Sequence, residues 1–367
     1  MDNRTILFAL HELPGIGWKT IHRLCTFLAA LEQLPSMSRE KLLTLELDRN
    51  KADAIIAGLT AEFAAERLEA YREAGIEIIC RMDADYPGWL AHTAQPPWVL
   101  YARGNRSLLH RPCLAMVGTR TPTAYGKKVA FQLAQELAEA GLTIVSGLAR
   151  GIDSEVHRGA LTRPGAGSTI GVLGCALDTV YPPENKGLYA QVEEHGLLLS
   201  EYPLGTPVHP GLFPLRNRII AGLSLGTLVV EAALRSGSLI TADQALDESR
   251  DCFAIPGPIT SPKSAGTLKL IKEGKAKTVT FADDVLEEYE HYLGRRGAKP
   301  RRTDPSPEAE LTEDETELLR HLTWEPSTID RLLVLSGFAF GQMHTVLLSL
   351  SMKKLIQQLP GSTFVRI

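Results

Sequence analysis

The stretch LAMVGTRTPTAYGKKVAFQLAQELAEAGLTIVSGLARGID, residues 114–153, decides the fold of this chain. It contains two short apolar runs, 114–117 and 142–145, that are typical of buried strands, and each run leads into a loop with glycine. Between them, apolar residues recur at helical spacing over 127–140. A strand, a helix and a second strand in this order predict one unit of a parallel sheet.

Further apolar runs repeat this pattern over residues 76–290. They lie at 76–79, 170–173, 197–199, 227–230 and 252–255. Their alternation with helical segments predicts an α/β domain whose parallel sheet is covered by helices on both faces. In such sheets, ligands bind beyond the carboxyl ends of the strands.

The two flanking parts of the chain have different patterns. Residues 1–75 predict a helical domain, in which LPGIG at 13–17 resembles a helix-hairpin-helix turn, with a plain tight turn as the alternative. Residues 291–310 carry basic residues followed by prolines and acids, which predicts a flexible linker. Residues 311–367 predict three helices and a terminal hairpin, the pattern of a winged-helix domain. Its third helix, 342–352, contains no arginine, so protein contact and DNA reading both remain open.

Composition excludes several classes of protein. With 44% hydrophobic and 22% charged residues, the chain has the composition of a soluble globular protein. We expect a cytoplasmic location without a membrane partner, because no apolar run is long enough to span a bilayer and no signal pattern opens the chain. The five cysteines form no CxxC pair, and no metal-ligand set is visible, so we expect neither a metal nor a cofactor. A net charge of −4 requires any surface for nucleic acid to be local.

A second stretch, FPLRNRIIAGLS at 213–224, suggests the chemistry of the site. It places two arginines where a loop meets a helix. The guanidinium of arginine is a planar fork of hydrogen-bond donors that matches the geometry of phosphate. The backbone amides at the start of a helix add partial positive charge. The candidate residues for a phosphate-bearing ligand lie on loops that a parallel sheet brings to one edge: Gly118, Thr119, Arg120, Ser146, Gly147, Arg150, Lys186, Phe213, Arg216, Asn217, Arg218, Ser236, Gly237 and Thr241. The dinucleotide fingerprint GxGxxG is absent, which weakens ordinary dinucleotide binding.

Ordered motifs across the middle part resemble one family. They are GTR at 118–120, SGLARGID at 146–153, GCALD at 174–178, YPPEN at 181–185, SEYPLG at 200–205, FPLRNRIIAGLS at 213–224, VVEAALRSGSLITA at 229–242 and AIPGPI at 254–259. With them, the chain resembles the DprA/Smf family, the DNA-processing proteins of bacteria, whose layout of a helical N-terminal and a winged-helix C-terminal domain it shares. Leu268 stands where the family pattern usually has Asn, so a polar contact from that position is in doubt.

The resemblance implies an extended Rossmann-like domain that binds single-stranded DNA as a homodimer. It also implies protection of incoming DNA in natural transformation and loading of a RecA-type recombinase, with single-strand-binding protein as a further partner. A sequence-tolerant binder needs cations that follow the phosphates and faces on which bases stack. Arg120 and the pair at 216 and 218, with Arg150 or Lys186, suit the first task. Phe213 and Tyr125 suit the second, unless Phe213 packs in the core. Tyr181 is predicted to pack.

Two other classes of function are alternatives for this sequence. A nucleoside monophosphate phosphoribohydrolase would use Glu231 after a strand, or Asp153 with His157 on one helical face. No second carboxylate or nucleophile is paired with them, and residues 232–238 replace the expected Gly-Gly loop, so we predict no catalytic residue and a structural, hydrogen-bonded His157. A protein adaptor with an empty site is less consistent with the arginines. For Arg218, the alternative to a phosphate contact is burial against an acid such as Glu231.

Overall fold

The computed structural model describes residues 1–162, 168–293, 311–323, 326–353, 355–359 and 361–366. The chain forms two compact units. One contains residues 1–122 and 129–296, and the other contains residues 123–128 and 297–367.

The N-terminal part is helical, as predicted. Its helices are α1 Asn3–Glu12, α2 Trp18–Phe27, α3 Arg39–Thr44, α4 Arg49–Gly58 and α5 Ala61–Glu73, with a 3-10 helix at Leu31–Ser36. Asp2, Ser38, Asp48 and Thr60 cap four of these helices by accepting a hydrogen bond from a backbone amide of the first turn. The LPGIG turn joins α1 to α2, and Gly15 in it has a φ of +79°, which only glycine adopts without strain.

These helices share one hydrophobic core with the sheet that follows. Phe8 of α1 and Tyr71 of α5 are buried in the same cluster as Tyr101, Leu148 and Leu198 from the middle part. Both parts therefore lie in the same compact unit. The domain boundaries drawn from sequence at residues 75, 290 and 310 stay a prediction.

A buried carboxylate joins three of these segments. Glu12 of α1 accepts hydrogen bonds from Nε of Arg67 at 2.7 Å, from the hydroxyl of Tyr71 at 2.7 Å and from the hydroxyl of Tyr101. The Tyr71 hydroxyl in turn accepts a 2.9 Å hydrogen bond from the amide of Leu204. Four buried or half-buried polar groups are thereby satisfied at the junction of the helices and the sheet.

The large sheet contains nine strands in the described part of the chain. They are β1 Glu77–Cys80, β2 Val99–Gly104, β3 Cys113–Val117, β4 Thr143–Ser146, β5 Ser168–Val172, β6 Leu197–Ser200, β7 Gly226–Val229, β8 Asp251–Ala254 and β9 Lys277–Thr278. Their order is β1-β2-β6-β5-β4-β3-β7-β8-β9. All pairs from β6 to β9 are parallel, which confirms the predicted α/β fold. The pairs β1-β2 and β2-β6 are antiparallel, and sequence reasoning predicted neither β2 nor β9.

Helices cover the sheet and connect its strands. They are α6 Gly88–Ala91, α7 Ala124–Glu139, α8 Ile152–Ala160, α9 Lys186–His195, α10 Leu212–Leu223, α11 Gly237–Asp247, α12 Ala265–Lys272 and α13 Asp283–Tyr289, with 3-10 helices at Arg106–His110 and Pro183–Asn185. From β3 the chain proceeds through β4 and β5 to β6 on one side, and then returns to β7 on the other side of β3. At such a reversal, the loops after the two central strands diverge and leave a crevice at the carboxyl edge.

The second unit contains a winged-helix domain, as predicted. Its elements are α14 Glu313–His321, β10 Ser327–Thr328, α15 Ile329–Ser336, α16 Phe340–Met352, β11 Ile356–Leu359 and β12 Thr363–Arg366. Thr312 and Glu315 form a capping box at the start of α14. Hydrogen bonds from Lys353 and Ser349 lower the pKa of Glu315 to about 2. Most of the predicted linker, residues 294–310, lies outside the described residues.

No single described helix is long and apolar enough to cross a membrane. Two helices of the second unit, Ile329–Ser336 and Phe340–Met352, reach that length and composition only as a pair bent by 109°.

Candidate nucleic-acid site

A cavity of about 380 Å³ opens at the carboxyl edge of the sheet, where the strand order reverses. We call it the switch-point cavity. It is lined by Val117, Gly118, Arg120, Ala149, Asp153, Pro210, Phe213, Pro214, Arg216, Asn217, Ile220, Ser236, Gly237, Ser238, Ile240 and Thr241. Four segments that are distant in sequence therefore meet at one place, and they carry eight of the predicted site residues. Pockets at this position are the usual ligand sites of open α/β sheets.

Arg216 forms part of the cavity floor and is only 4% exposed. Its Nη1 donates hydrogen bonds to the carbonyl of Gly147 at 2.8 Å and to the carbonyl of Val172, at the ends of β4 and β5. Its Nε donates to the side chain of Asn217 at 3.3 Å. Within the described chain, no carboxylate lies within ion-pair distance of this guanidinium, and nothing accepts a hydrogen bond from Nη2. A buried cation of this kind stabilises an anion in the space above it.

Arg216 and Asp153 shift the pKa of each other at the cavity floor. Burial lowers the pKa of Arg216, and the nearby carboxylate of Asp153 opposes that shift. Burial raises the pKa of Asp153, while Arg216 and the amides of Gly147 and Ala149 favour its ionised form. Asp153 accepts a 3.1 Å hydrogen bond from the Gly147 amide, so its role is to hold the loop after β4. Sequence reasoning considered this residue only as a catalytic acid.

Arg120 stands at the rim of the cavity and is exposed. Its guanidinium carbon lies 5.9 Å from the centre of the Phe213 ring, a cation–π arrangement. Phe213 is half-buried and packs over Gly174, where a Cβ would lie 2.5 Å from Cδ1 of the ring. The ring is therefore partly packed and partly open to the cavity, so packing describes part of the side chain, and base stacking on the open part stays a prediction.

The start of α11 supplies further polar groups. Ser236 is the N-cap, and its hydroxyl accepts a 3.4 Å hydrogen bond from the amide of Ser238. Gly237 is the first residue of the helix, and Thr241 is 1% exposed one turn further along. All three predicted residues line the cavity. The N-terminus of a helix adds partial positive charge, which suits an anion.

Arg218 lies outside the cavity lining. Its Nη2 contacts both carboxylate oxygens of Glu201, at 2.6 and 2.7 Å, and the two side chains are 19% and 11% exposed. The predicted phosphate contact is not supported by this position. The alternative of burial against an acid describes Arg218 correctly, except that the acid is Glu201 instead of Glu231.

The loop after β3 is held by its backbone. The amide of Thr119 donates a hydrogen bond to the carbonyl of Glu231 at 2.7 Å. The carbonyl of Thr119 accepts a hydrogen bond from the amide of Ile152 at 3.1 Å. At Gly118, a Cβ would lie 2.6 Å from the Ile152 side chain, so a larger residue would displace α8. Gly118 therefore forms part of the cavity wall, and the backbone hydrogen bonds of Thr119 hold Arg120 at the rim.

The remaining predicted residues have other surroundings. Ser146 is fully buried, and its hydroxyl donates to the carbonyl of Met116 at 2.6 Å, so it is not presented to the cavity. Gly147 is buried beneath Arg216, where a Cβ would lie 2.4 Å from Nη2. Arg150 is exposed and forms an ion pair with Glu184. Lys186 is exposed at the start of α9 and does not line the cavity.

His157 is engaged in the protein interior, as predicted. Thr169 donates its hydroxyl hydrogen to the carbonyl of Ile144, so Nδ1 of His157 donates to that hydroxyl at 2.7 Å. Nε2 then accepts a 3.3 Å hydrogen bond from the amide of Leu148. Burial, with a smaller effect of Arg216, lowers the pKa of His157 to about 3. Within the described chain, no cluster of three His, Cys, Asp or Glu side chains suits a metal ion.

The mixed sheet and its switch-point cavity define an α/β protein of the Rossmann-like class. A family model described as DNA recombination-mediator protein A matches residues 77–290, and a model of the DprA winged-helix domain matches residues 302–362. The chain belongs to this DprA family.

Relatives and solved structures agree with this assignment. DNA processing protein DprA of Bacillus subtilis is 46% identical over 222 residues, which are 60% of this chain and 74% of that protein. Protein Smf of Escherichia coli is 40% identical over 284 residues, 77% and 75% of the two chains. The X-ray structure of DprA from Streptococcus pneumoniae matches with a TM-score of 0.69 at 34% identity, covering 78% of this chain and 99% of that one.

A second solved structure bears on the ligand of a relative. It is DNA processing protein A of Helicobacter pylori, described with a unique single-stranded DNA binding mode. It matches with a TM-score of 0.54 at 31% identity and covers 59% of this chain and 96% of that one.

Proposed function

We propose that the protein binds single-stranded DNA in the switch-point cavity and mediates recombination by loading a RecA-type recombinase onto the bound strand. The buried guanidinium of Arg216 carries this proposal, because it places a positive charge without a direct ion pair under an open cavity. A phosphate above it would be held from below by Arg216, from the rim by Arg120 and from one side by the start of α11. The single-stranded DNA binding of the Helicobacter pylori relative supports the choice of ligand.

The shape of the site favours a single strand over a duplex. The cavity combines cations with the partly open ring of Phe213, and unstacked bases are available to an aromatic side chain only in a single strand. Nothing in this arrangement depends on the identity of a base, so we expect tolerance of sequence. We also propose that the site binds without catalysis, since His157 and Asp153 are both engaged in holding the loop after β4.

Equilibrium binding to labelled oligothymidine and to blunt duplex of equal length tests the ligand. We expect tighter binding to the single strand, with affinity falling on a log–log salt plot by about 0.7 per neutralised phosphate. Equal affinity for the two ligands would reject the proposal.

The mediator role needs a separate experiment. With the host's own recombinase and DNA pre-coated by single-strand-binding protein, addition of this protein should restore strand exchange. Absence of stimulation rejects the loading role and leaves DNA binding intact. Protection of incoming DNA during natural transformation, a cytoplasmic location and a homodimer belong to the same proposal. Light scattering in solution measures the dimer directly.

A further inference from the structure

A small recess adjoins the switch-point cavity on the side of the YPPEN motif. It has a volume of about 30 Å³, and we call it the aromatic recess. Its lining is Arg120, Gly147, Ala149, Arg150, Tyr181, Pro182 and Phe213. Because this volume is less than a tenth of that of the switch-point cavity, the recess is too shallow to enclose a base. Any base bound here must lie across its mouth, against the rings that line it.

Tyr181 presents the more open of these two rings. Tyr181 is 41% exposed, whereas Phe213 is half-buried and packs over Gly174. The two ring centres are 5.2 Å apart and the planes are inclined by 37°. Phe213 therefore supports Tyr181 from inside. Packing alone, which the sequence predicts for Tyr181, leaves this exposed surface unexplained.

The backbone holds Tyr181 in place without using its hydroxyl. Its carbonyl accepts a 2.7 Å hydrogen bond from the hydroxyl of Tyr189, a buried residue of α9. Four residues further along, the side-chain amide of Asn185 donates to the carbonyl of Leu148 at 2.9 Å and to the hydroxyl of Ser154 at 3.0 Å. The segment is thus fixed to the loop that forms the cavity wall, and a ring held in advance loses little entropy on binding.

Two cations line the recess together with this ring. Arg120 stands between the aromatic recess and the switch-point cavity, because it lines both. Arg150 lines the recess but not the cavity, and its side chain is 61% exposed, although it is paired with Glu184. A strand that has one phosphate over Arg216 would reach the aromatic recess past Arg120, which lines both.

We propose that Tyr181 is a base-stacking residue, on whose exposed ring a base rests when the neighbouring phosphate occupies the switch-point cavity. This inference depends on the proposed function, because it assigns a second contact to the same strand. Every base has an aromatic face, so the contact adds affinity without sequence preference. Alanine replacements of stacking residues weaken binding roughly five- to hundredfold, and a single ring open on one side belongs at about five- to twentyfold.

The test compares normal and abasic DNA. Affinities of wild type, Tyr181→Phe, Tyr181→Leu and Tyr181→Ala are measured for oligothymidine and for an abasic oligomer with the same number of phosphates. The leucine variant keeps apolar bulk against Phe213, and so guards against a loss that comes from packing. Tyr292→Ala is the matched control, since Tyr292 is 43% exposed and lines neither cavity nor recess.

We expect the alanine and leucine variants to bind oligothymidine about five- to twentyfold more weakly and to bind the abasic oligomer within about twofold of wild type. The phenylalanine variant and the Tyr292 control should match wild type on both ligands. Equal losses on the two ligands, or no loss on either, overturn the stacking role while the protein still binds DNA. Failure of the wild type to bind any single strand overturns the proposed function, and the stacking role with it.

Discussion

The ion pair between Arg218 and Glu201 makes a prediction opposite to that of the sequence. If Arg218 were a surface clamp for phosphate, its removal would weaken DNA binding and leave stability nearly unchanged. In the structure, Arg218→Ala leaves the carboxylate of Glu201 buried without its cation. Breaking a buried pair in this way costs about 3–5 kcal/mol, and the residual exposure of 19% and 11% places this one near the lower value. For a unit of this size, we expect the melting temperature to fall by roughly 5 °C.

The loss should depend on pH in a defined direction. Burial already raises the pKa of Glu201, and Arg218 opposes that rise, so removing Arg218 raises this pKa further. A carboxyl group with a raised pKa in the folded state favours folding in its protonated form, and loses that contribution as pH increases through the folded pKa. The destabilisation of Arg218→Ala should therefore be largest near pH 7 and smaller at pH 5.

A double variant provides the control. Arg218→Met combined with Glu201→Gln removes both charges and keeps most of the volume, so it should recover most of the lost stability. Calorimetry or denaturant unfolding measures stability, and equilibrium binding to oligothymidine should show affinity within about twofold of wild type for the double variant. A single variant of normal stability that has lost DNA affinity would refute this reasoning and restore Arg218 as a phosphate contact.

Three further predictions concern the site. Arg120→Ala should weaken binding equally for all sequences, reduce the salt slope by about 0.7 and leave the melting temperature unchanged, and Arg120→Lys should recover only part of the lost affinity. Full affinity in Arg120→Ala would place the site elsewhere. Deletion of the residues from about 306 onward should leave binding to oligothymidine largely intact, because the cavity is built from residues before that point. A folded deletion variant that no longer binds would move the site to the winged helix. Burial lowers the pKa of His157 to about 3, so between that pH and about 6.5 the unfolded chain binds a proton that the folded chain does not. The free energy of unfolding should therefore decrease as pH falls from about 6.5 towards 3. This decrease should be shallower in His157→Gln.

The sequence predicts the centre of this sheet better than its edges. Runs such as 114–117 and 227–230 are fully buried in the middle of a parallel sheet, where nearly every side chain is apolar, with Thr227 as the exception, and the pattern is clear. β9 has two exposed residues, so it leaves no apolar signal. β2 contains the buried run Val99–Ala102, but it follows two prolines and ends in arginine and glycine. These flanking residues are typical of a loop, so the sequence does not predict this strand.

For the site, the sequence predicts which loops meet but not which charges remain open. Arg120 and Arg216 both line the cavity, as expected from loops at one edge of a sheet. Whether an arginine is paired depends on acids brought close only by folding, and Glu201 lies 17 residues before Arg218 in a separate loop. The hydroxyl of Ser146 donates to a main-chain carbonyl instead of facing the cavity. The pleat of β4 sets the direction of this side chain, and the residue type alone does not show that direction.

The hydrogen bond from Leu204 to Tyr71 has a consequence for how this protein can be divided. Leu204 lies between β6 and α10, the helix that carries Phe213 and Arg216, and Tyr71 is fixed by the buried Glu12 of the first helix. A fragment that begins at residue 76 would lose the partners of Tyr101 and the anchor of this segment together. The N-terminal helices thus hold the segment that leads into α10, and exchanging them for those of another protein should disturb the proposed DNA binding without changing any residue that lines the switch-point cavity.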